Sequence, residues 1–137
     1  MSAAEIVRAM FDALNDEGTE AALEWFAEDF HGVVPPELSA EPDSYDGHDG
    51  VRRYFDSFHE IVADLRFDAT ELVEVTPDAV AAHGLITGSG RESGIPIHMP
   101  APLLMRLRNG KLVEMSAYPT VDEAISAGSS PPQHGGQ

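Results

Sequence analysis

The chain contains no cysteine, so neither a disulfide nor a thiolate metal site can form, a composition that fits a cytoplasmic protein. It is also poor in positive charge, with 8 basic residues against 24 acidic ones in 137 and a net charge of −16. A field of that sign repels nucleic acid and anionic lipid, and no basic stripe offsets it, so neither is expected as a partner. No apolar run approaches the roughly 18 residues that a membrane-spanning helix needs. The opening MSAAEIVRAMFDAL has neither a basic leader region nor an unbroken apolar stretch, so no secretory signal is expected. What remains is ordinary globular composition, 42% hydrophobic, in a chain long enough for one domain with a real core.

Ser2 and Glu5 have the spacing of a capping box, and Ile6, Val7, Met10, Phe11 and Leu14 follow at helical spacing. Gly18 stops that helix, and a second short one carries Ala22, Leu23 and Phe26. Asp29 to Val34 reads as a strand ended by Pro35-Pro36, followed by a loop with a short edge strand before Gly47. Val51, Phe55, Phe58 and Val62 make one face of a third helix, widened by Tyr54 and Ile61. Four strands are predicted next, at 65–75, 79–89, 95–108 and 111–118. Asn109-Gly110 supplies the two positive-φ residues of a tight hairpin between the last pair. Pro96, Pro100 and Pro102 cannot donate to a ladder, which predicts a bulge or break near Met99 to Pro102. Thr120 to Glu123 is a second capping-box pattern, opening a short final helix. The tail, residues 129–137, has nothing apolar to bury and is expected to be disordered, leaving residues 1–128 as one domain. Helices followed by an antiparallel meander make an α+β pattern.

The segments ALNDEGTEAALEWFAEDF, YDGHDGVRRYF, ADLRF, SGIPI and MRLRNGKLVEMSAY, in that order and spacing, resemble the nuclear transport factor 2-like superfamily. Within it the chain is similar to the SnoaL-like and ketosteroid-isomerase-like branches. The resemblance implies a cystatin-like α+β barrel: a strongly curved antiparallel sheet wrapped round N-terminal helices into a cone, with a pocket at the wide end. It also implies a homodimer packed through the convex sheet face. Where ketosteroid isomerases place an oxyanion-stabilising tyrosine, a general-base aspartate and a protonated aspartate, this chain has Phe11, Val34 and Leu103. Where cyclase-like members carry an acid on the last strand, it has Ala117, and the Asp-Arg-Asp set of limonene-type epoxide hydrolases has no match. Proton abstraction beside a carbonyl needs a base and an enolate stabiliser, so that chemistry is not expected here.

Strand alternation gives the same hydrocarbon surface. If Leu103 faces inward, so do Met105 and Leu107, and on the last strand Val113, Met115 and Ala117. A ligand pocket is therefore expected to draw on Phe11, Trp25, Val34, Tyr54, Phe58, Leu103, Met105, Met115 and Ala117. Trp25, Tyr54 and Phe58 have core packing as the simpler alternative.

Six histidines are present, but without a close-spaced pair among those on strands they make no metal site, and no cofactor motif is found. His48 suits a helix-start role, and His59 and His134 lie on a polar helix face and in the tail. His98, beside the prolines, is the candidate catalytic imidazole, with Tyr54 as a second polar candidate; a convex-face histidine at a dimer interface is the competing reading. Two functional readings stay open. One is a pocket that binds an apolar, polyketide- or terpenoid-like molecule and cyclises or isomerises it by confinement. The other is a non-catalytic dimeric binding or accessory module whose pocket is filled by its own side chains, methionines among them.

Overall fold

The computed structural model describes residues 1–34 and 43–129, with the side chains of Val34 and Asp43 excepted. The stretch 35–42, with its Pro35-Pro36 strand end, and the tail from residue 130, with His134, lie outside the described residues.

Helix α1 spans Ala3–Glu17, and both halves of its capping box form: Ser2 N–H donates to Glu5 at 2.9 Å, and Glu5 N–H donates to the Ser2 hydroxyl at 3.2 Å. Its buried face is Ile6, Val7, Met10, Phe11 and Leu14. Gly18 ends it at φ 104, and α2 (Thr19–Ala22) and a single 3₁₀ turn (Leu23–Trp25) lead into strand β1 (Phe26–Val34). The edge strand β2 (Asp43–Asp46) then runs into α3 (Gly47–Ile61). Four long strands follow: β3 (Val62–Thr76), β4 (Ala79–Gly90), β5 (Pro96–Arg108) and β6 (Lys111–Ala117), before α4 (Val121–Gly128).

These strands form one curved, unclosed six-stranded sheet in the order β2-β1-β6-β5-β4-β3. It departs from an all-antiparallel sheet at one place, where β1 pairs with β6 in parallel. Asn109 and Gly110 adopt φ of 53 and 78, the left-handed pair a tight β5–β6 hairpin requires. The main core fills the concave side, where α1 and α3 meet Phe67, Val80, Ala82, Ile86, Leu103, Met105 and Leu107. A second, smaller cluster on the convex side joins Ala79, Ala81 and Leu104 to Ala124 of α4.

Three sequence expectations are corrected. Val62 is not the end of the third helix's apolar face: α3 stops at Ile61, and Val62, 3% exposed, opens β3. Val113 is not in the main core. The β5–β6 register slips between Arg106 and Leu107, so Leu112 and Met115 both face in and Val113 is the extra residue of a bulge.

The third correction concerns the prolines, which break nothing, since β4 and β5 pair without a slip from Ala79–Arg106 to Ser89–Pro96. The reason is parity. Tyr118 N–H donates to the Pro102 carbonyl at 3.0 Å, so Pro102 turns its backbone polar atoms toward β6 and away from β4. Pro100 and Pro96 share that parity, and their missing N–H groups fall on the side where β5 overhangs β6. No β4–β5 bond is lost.

Candidate functional site

Helix α3 is held over the sheet by contacts its sequence dictates. At Gly50 a β-carbon would sit 2.5 Å from the Tyr45 carbonyl carbon, so only glycine lets the helix approach β2 this closely. His48 Nε2–H donates to the Phe26 carbonyl at 2.9 Å and ties the start of α3 to β1. Six residues on from His48, the Tyr54 ring makes edge contacts with Tyr45, Phe55 and Phe58, at centroid distances of 5.0, 5.3 and 5.2 Å.

Between this aromatic surface and the end of the sheet lies a cleft of about 390 Å³. Helix α3 contributes Tyr54, Ser57 and Phe58; β5 contributes Met99 to Leu103; and Ala117, Tyr118 and Pro119 close it from the end of β6. Tyr45 and Ile86 complete the lining, so all three tyrosines of the chain meet at one cleft. Among the described residues, no charged side chain and no histidine lines it. Deeper in, toward the apex, Phe26, Phe30, Val51, Phe55 and Met115 leave about 10 Å³, no more than a single water. The Phe30 ring lies over Gly32, where a β-carbon would approach it to 3.1 Å, and meets Phe26 edge-on at 4.9 Å. The inner space is thus filled by side chains, and the cleft beside it is open.

Burial, with a smaller contribution from Tyr45, pushes the Tyr54 hydroxyl up to about 12, although part of the residue's surface still faces the cleft. The phenol is therefore neutral across physiological pH, a hydrogen-bonding group and not a base. Burial likewise raises Tyr118, with Glu114 adding to the effect and Arg106 opposing it. The Ser57 hydroxyl donates to the Tyr54 carbonyl at 2.6 Å.

Of the residues expected around a pocket, the structure brings Tyr54, Phe58, Leu103 and Ala117 to the open cleft, and Met115 to its narrow inner end. Phe11 and Met105, 5% and 0% exposed, are sealed in the core and line neither. Trp25 lines a separate groove of about 410 Å³ outside α1, among Asp12, Asp16, Glu17 and Glu24. The Val34 side chain lies outside the described residues. His98 is exposed on β5 opposite Thr87, and its parity with Leu104 places it on the convex face, away from the cleft.

The strand histidines do not meet. His31 pairs with Asp46, and His83 sits 3.1 Å from Glu71. Among the described residues no three His, Cys, Asp or Glu side chains converge on a metal-sized site. None of the helices among them is long and apolar enough to cross a membrane.

Sequence reasoning missed Tyr45, Ala101 and Tyr118 as lining residues, and took Met99 only as a methionine that could fill the pocket. Met99 and Ala101 carry the inward parity of Leu103, a signal the proline run interrupted. Tyr45 and Tyr118 come to the cleft only through α3 packing and the end of β6.

The profile of the SnoaL-like domain matches residues 7–115. The chain belongs to the SnoaL-like domain family. Solved structures agree on the fold. An NTF2-like protein of unknown function from Burkholderia pseudomallei superposes with a TM-score of 0.74 at 20% identity, covering 95% of this chain and 100% of that one. A Mycobacterium tuberculosis protein in complex with estradiol-17β-hemisuccinate gives 0.71 at 16% identity, covering 89% and 97%. A Catenulispora acidiphila protein with a ketosteroid isomerase-like fold, in complex with trimethylamine, gives 0.71 at 17% identity, covering 93% and 94%. A comparison with curated proteins found no match. Neighbours of this SnoaL-like chain thus hold small organic ligands on the same fold.

Proposed function

We propose that this SnoaL-like chain binds an apolar small molecule at the mouth of its cone. One observation carries the reading: a cleft of about 390 Å³ lined by hydrocarbon and aromatic residues, with Ser57, Tyr54 and backbone carbonyls as its polar contribution. Relatives solved with a steroid ester and with trimethylamine support small-molecule binding as the use of this fold. Among the described residues no carboxylate or imidazole lines the cleft, and a phenol pushed up to about 12 is a poor base at neutral pH. Any reaction here therefore proceeds by holding a polyketide- or terpenoid-like substrate in a reactive shape, with Tyr54 as a hydrogen-bond donor. His98 has no part in it from the convex face.

The second reading, a non-catalytic accessory module, draws on the filled apex, which leaves about 10 Å³. The homodimer belongs to the same proposal. Beyond α4 the convex face keeps two acid–base pairs, Arg66 with Asp68 and His83 with Glu71, which suit a polar self-association.

Native mass spectrometry followed by denaturing extraction tests all of this. A small apolar molecule carried on the protein supports the first reading, and its mass before and after incubation reports turnover. Failure of the protein to retain or take up any apolar molecule, with the Met99→Trp variant behaving identically, rejects it.

A further inference from the structure

We propose that the cleft selects an uncharged ligand that carries a hydrogen-bond donor, such as a primary amide, phenol or alcohol, and rejects the matching carboxylate. This rests on the reading of the cleft as the ligand site and specifies its chemistry.

The argument starts from the length mismatch between β5 and β6. Strand β6 pairs with residues 103–108 of β5, and the Tyr118–Pro102 bond closes that ladder. Residues 96–101 overhang it, paired among the described residues with β4 alone. On the free side of the overhang the backbone polar groups belong to Pro96, His98 and Pro100, because these share the parity of Pro102. Proline has a carbonyl but no N–H. The free edge is consequently rich in acceptors, with His98 its only N–H.

Pro100 lines the cleft, and no donor among the described residues reaches its carbonyl. Pro119, which follows the last β6 bond and also lines the cleft, has no N–H to offer. Ser57 already uses its proton on the Tyr54 carbonyl, leaving its lone pairs. The Tyr54 hydroxyl has no partner among the described residues and is the group that can answer either a donor or an acceptor on the ligand.

A carboxylate brought into such a place finds, among the described residues, carbonyl oxygens, the single Tyr54 hydroxyl as a donor, and no cation. Arg53 stacks over the Tyr45 ring at 4.6 Å and donates to the Ser44 carbonyl at 2.9 Å, and it is not part of the lining. The chain's net charge of −16 opposes an anion at every distance. Burying an ionised group with one neutral donor and no cation is unfavourable, whereas a neutral donor satisfies the Pro100 carbonyl.

Three nearly isosteric probes separate these terms: para-phenylbenzamide, its methyl ester analogue methyl para-phenylbenzoate, and the para-phenylbenzoate anion. Binding to the full chain is measured by calorimetry at neutral pH and moderate salt. Met99→Trp is run alongside, because Met99 is exposed on the cleft rim and its replacement leaves the core alone. The amide is expected to bind about tenfold more tightly than the anion and several-fold more tightly than the ester, and Met99→Trp to weaken the amide. An anion that binds as well as the amide, or an ester that equals it, overturns the donor selection while leaving the cleft as a ligand site. Absence of binding by all three, or amide binding untouched by Met99→Trp, overturns the cleft reading and the selection with it.

Discussion

Asn15 is the side chain whose removal tests most directly how the helices hold the sheet. Its amide donates to the Phe67 carbonyl at 2.7 Å and accepts from the Phe67 N–H at 2.9 Å, across 52 residues of sequence. Phe67 lies on β3, the last strand of the sheet, so these two groups have no strand beyond them. Asn15 takes the place of the missing neighbour. The ring it steadies is in edge contact with Phe55 at 5.2 Å and Phe58 at 5.5 Å, part of the aromatic wall behind the cleft.

Asn15→Ala removes both bonds. Each contributes about 1 kcal/mol net, with a further fraction where water reaches the half-buried groups poorly, so a gross loss of about 2.5 kcal/mol follows. Alanine is the better helix former, which returns about 0.5 kcal/mol. The expected net loss is about 2 kcal/mol. With a urea slope of about 1–3 kcal/mol per molar for a small domain, the midpoint should fall by about 1 M. Equilibrium urea unfolding followed by far-ultraviolet circular dichroism reads this. A shift below about 0.3 M at unchanged slope would refute the reasoning, by showing that water replaces the asparagine without cost.

Gly50→Ala should destabilise the fold by about 1–3 kcal/mol despite alanine's helix preference, because the new methyl meets the Tyr45 backbone at 2.5 Å; a raised melting temperature would show that α3 can lift away freely. The raised Tyr54 hydroxyl gives a pH dependence. Its neutral form is favoured in the folded state, so the stability it contributes is present below the unfolded value of about 10 and is lost as pH rises through about 12. Ultraviolet titration should show one of the three phenols ionising last, and Tyr54→Phe should remove that step and flatten the alkaline loss of stability. On β5, Pro100→Ala should change the melting temperature little, whereas Ala101→Pro should cost about 3 kcal/mol by deleting an N–H that faces β4. Equal effects of the two substitutions would contradict the parity drawn from the Tyr118–Pro102 bond.

What could be read in the sequence was local or periodic. Ser2 with Glu5, Asn109-Gly110, and the alternation of Leu103, Met105 and Leu107 each depend on neighbours within a few residues, and the fold contains all three. The misreadings are long-range. Nothing near Val113 announces the bulge that puts Leu112 in the core, because a bulge is defined by the partner strand. The parallel β1–β6 pair joins segments some 80 residues apart in the chain. For the candidate site, helical period and strand parity found Tyr54, Phe58, Leu103 and Ala117, which the structure gathers at one cleft. The same parity also pointed to Met105, and helical spacing to Phe11, because a facing rule cannot distinguish a residue at the mouth from one sealed beneath it. His98 was advanced because the prolines beside it were expected to break the strand, and they do not.

The prolines and the cleft have a common origin in the overhang of β5. A strand that runs past its neighbour exposes a row of backbone groups to any passing edge, and proline is one of the residues that blunts such an edge. Here the same overhang forms one wall of the cleft, with Met99 and Ala101 turned to the concave side. Extending β6 to cover the edge would pair the carbonyl of Pro100 and also occupy the space the cleft now holds. The apex argues in the same direction. Phe26, Phe30 and Phe55 fill it to about 10 Å³, and Phe11, the position where the resemblance to ketosteroid isomerases would place a tyrosine, is 5% exposed and lines neither this space nor the cleft. The overhang thereby sets the Pro100 carbonyl in the cleft wall beside Tyr54, whose phenol burial keeps neutral at neutral pH.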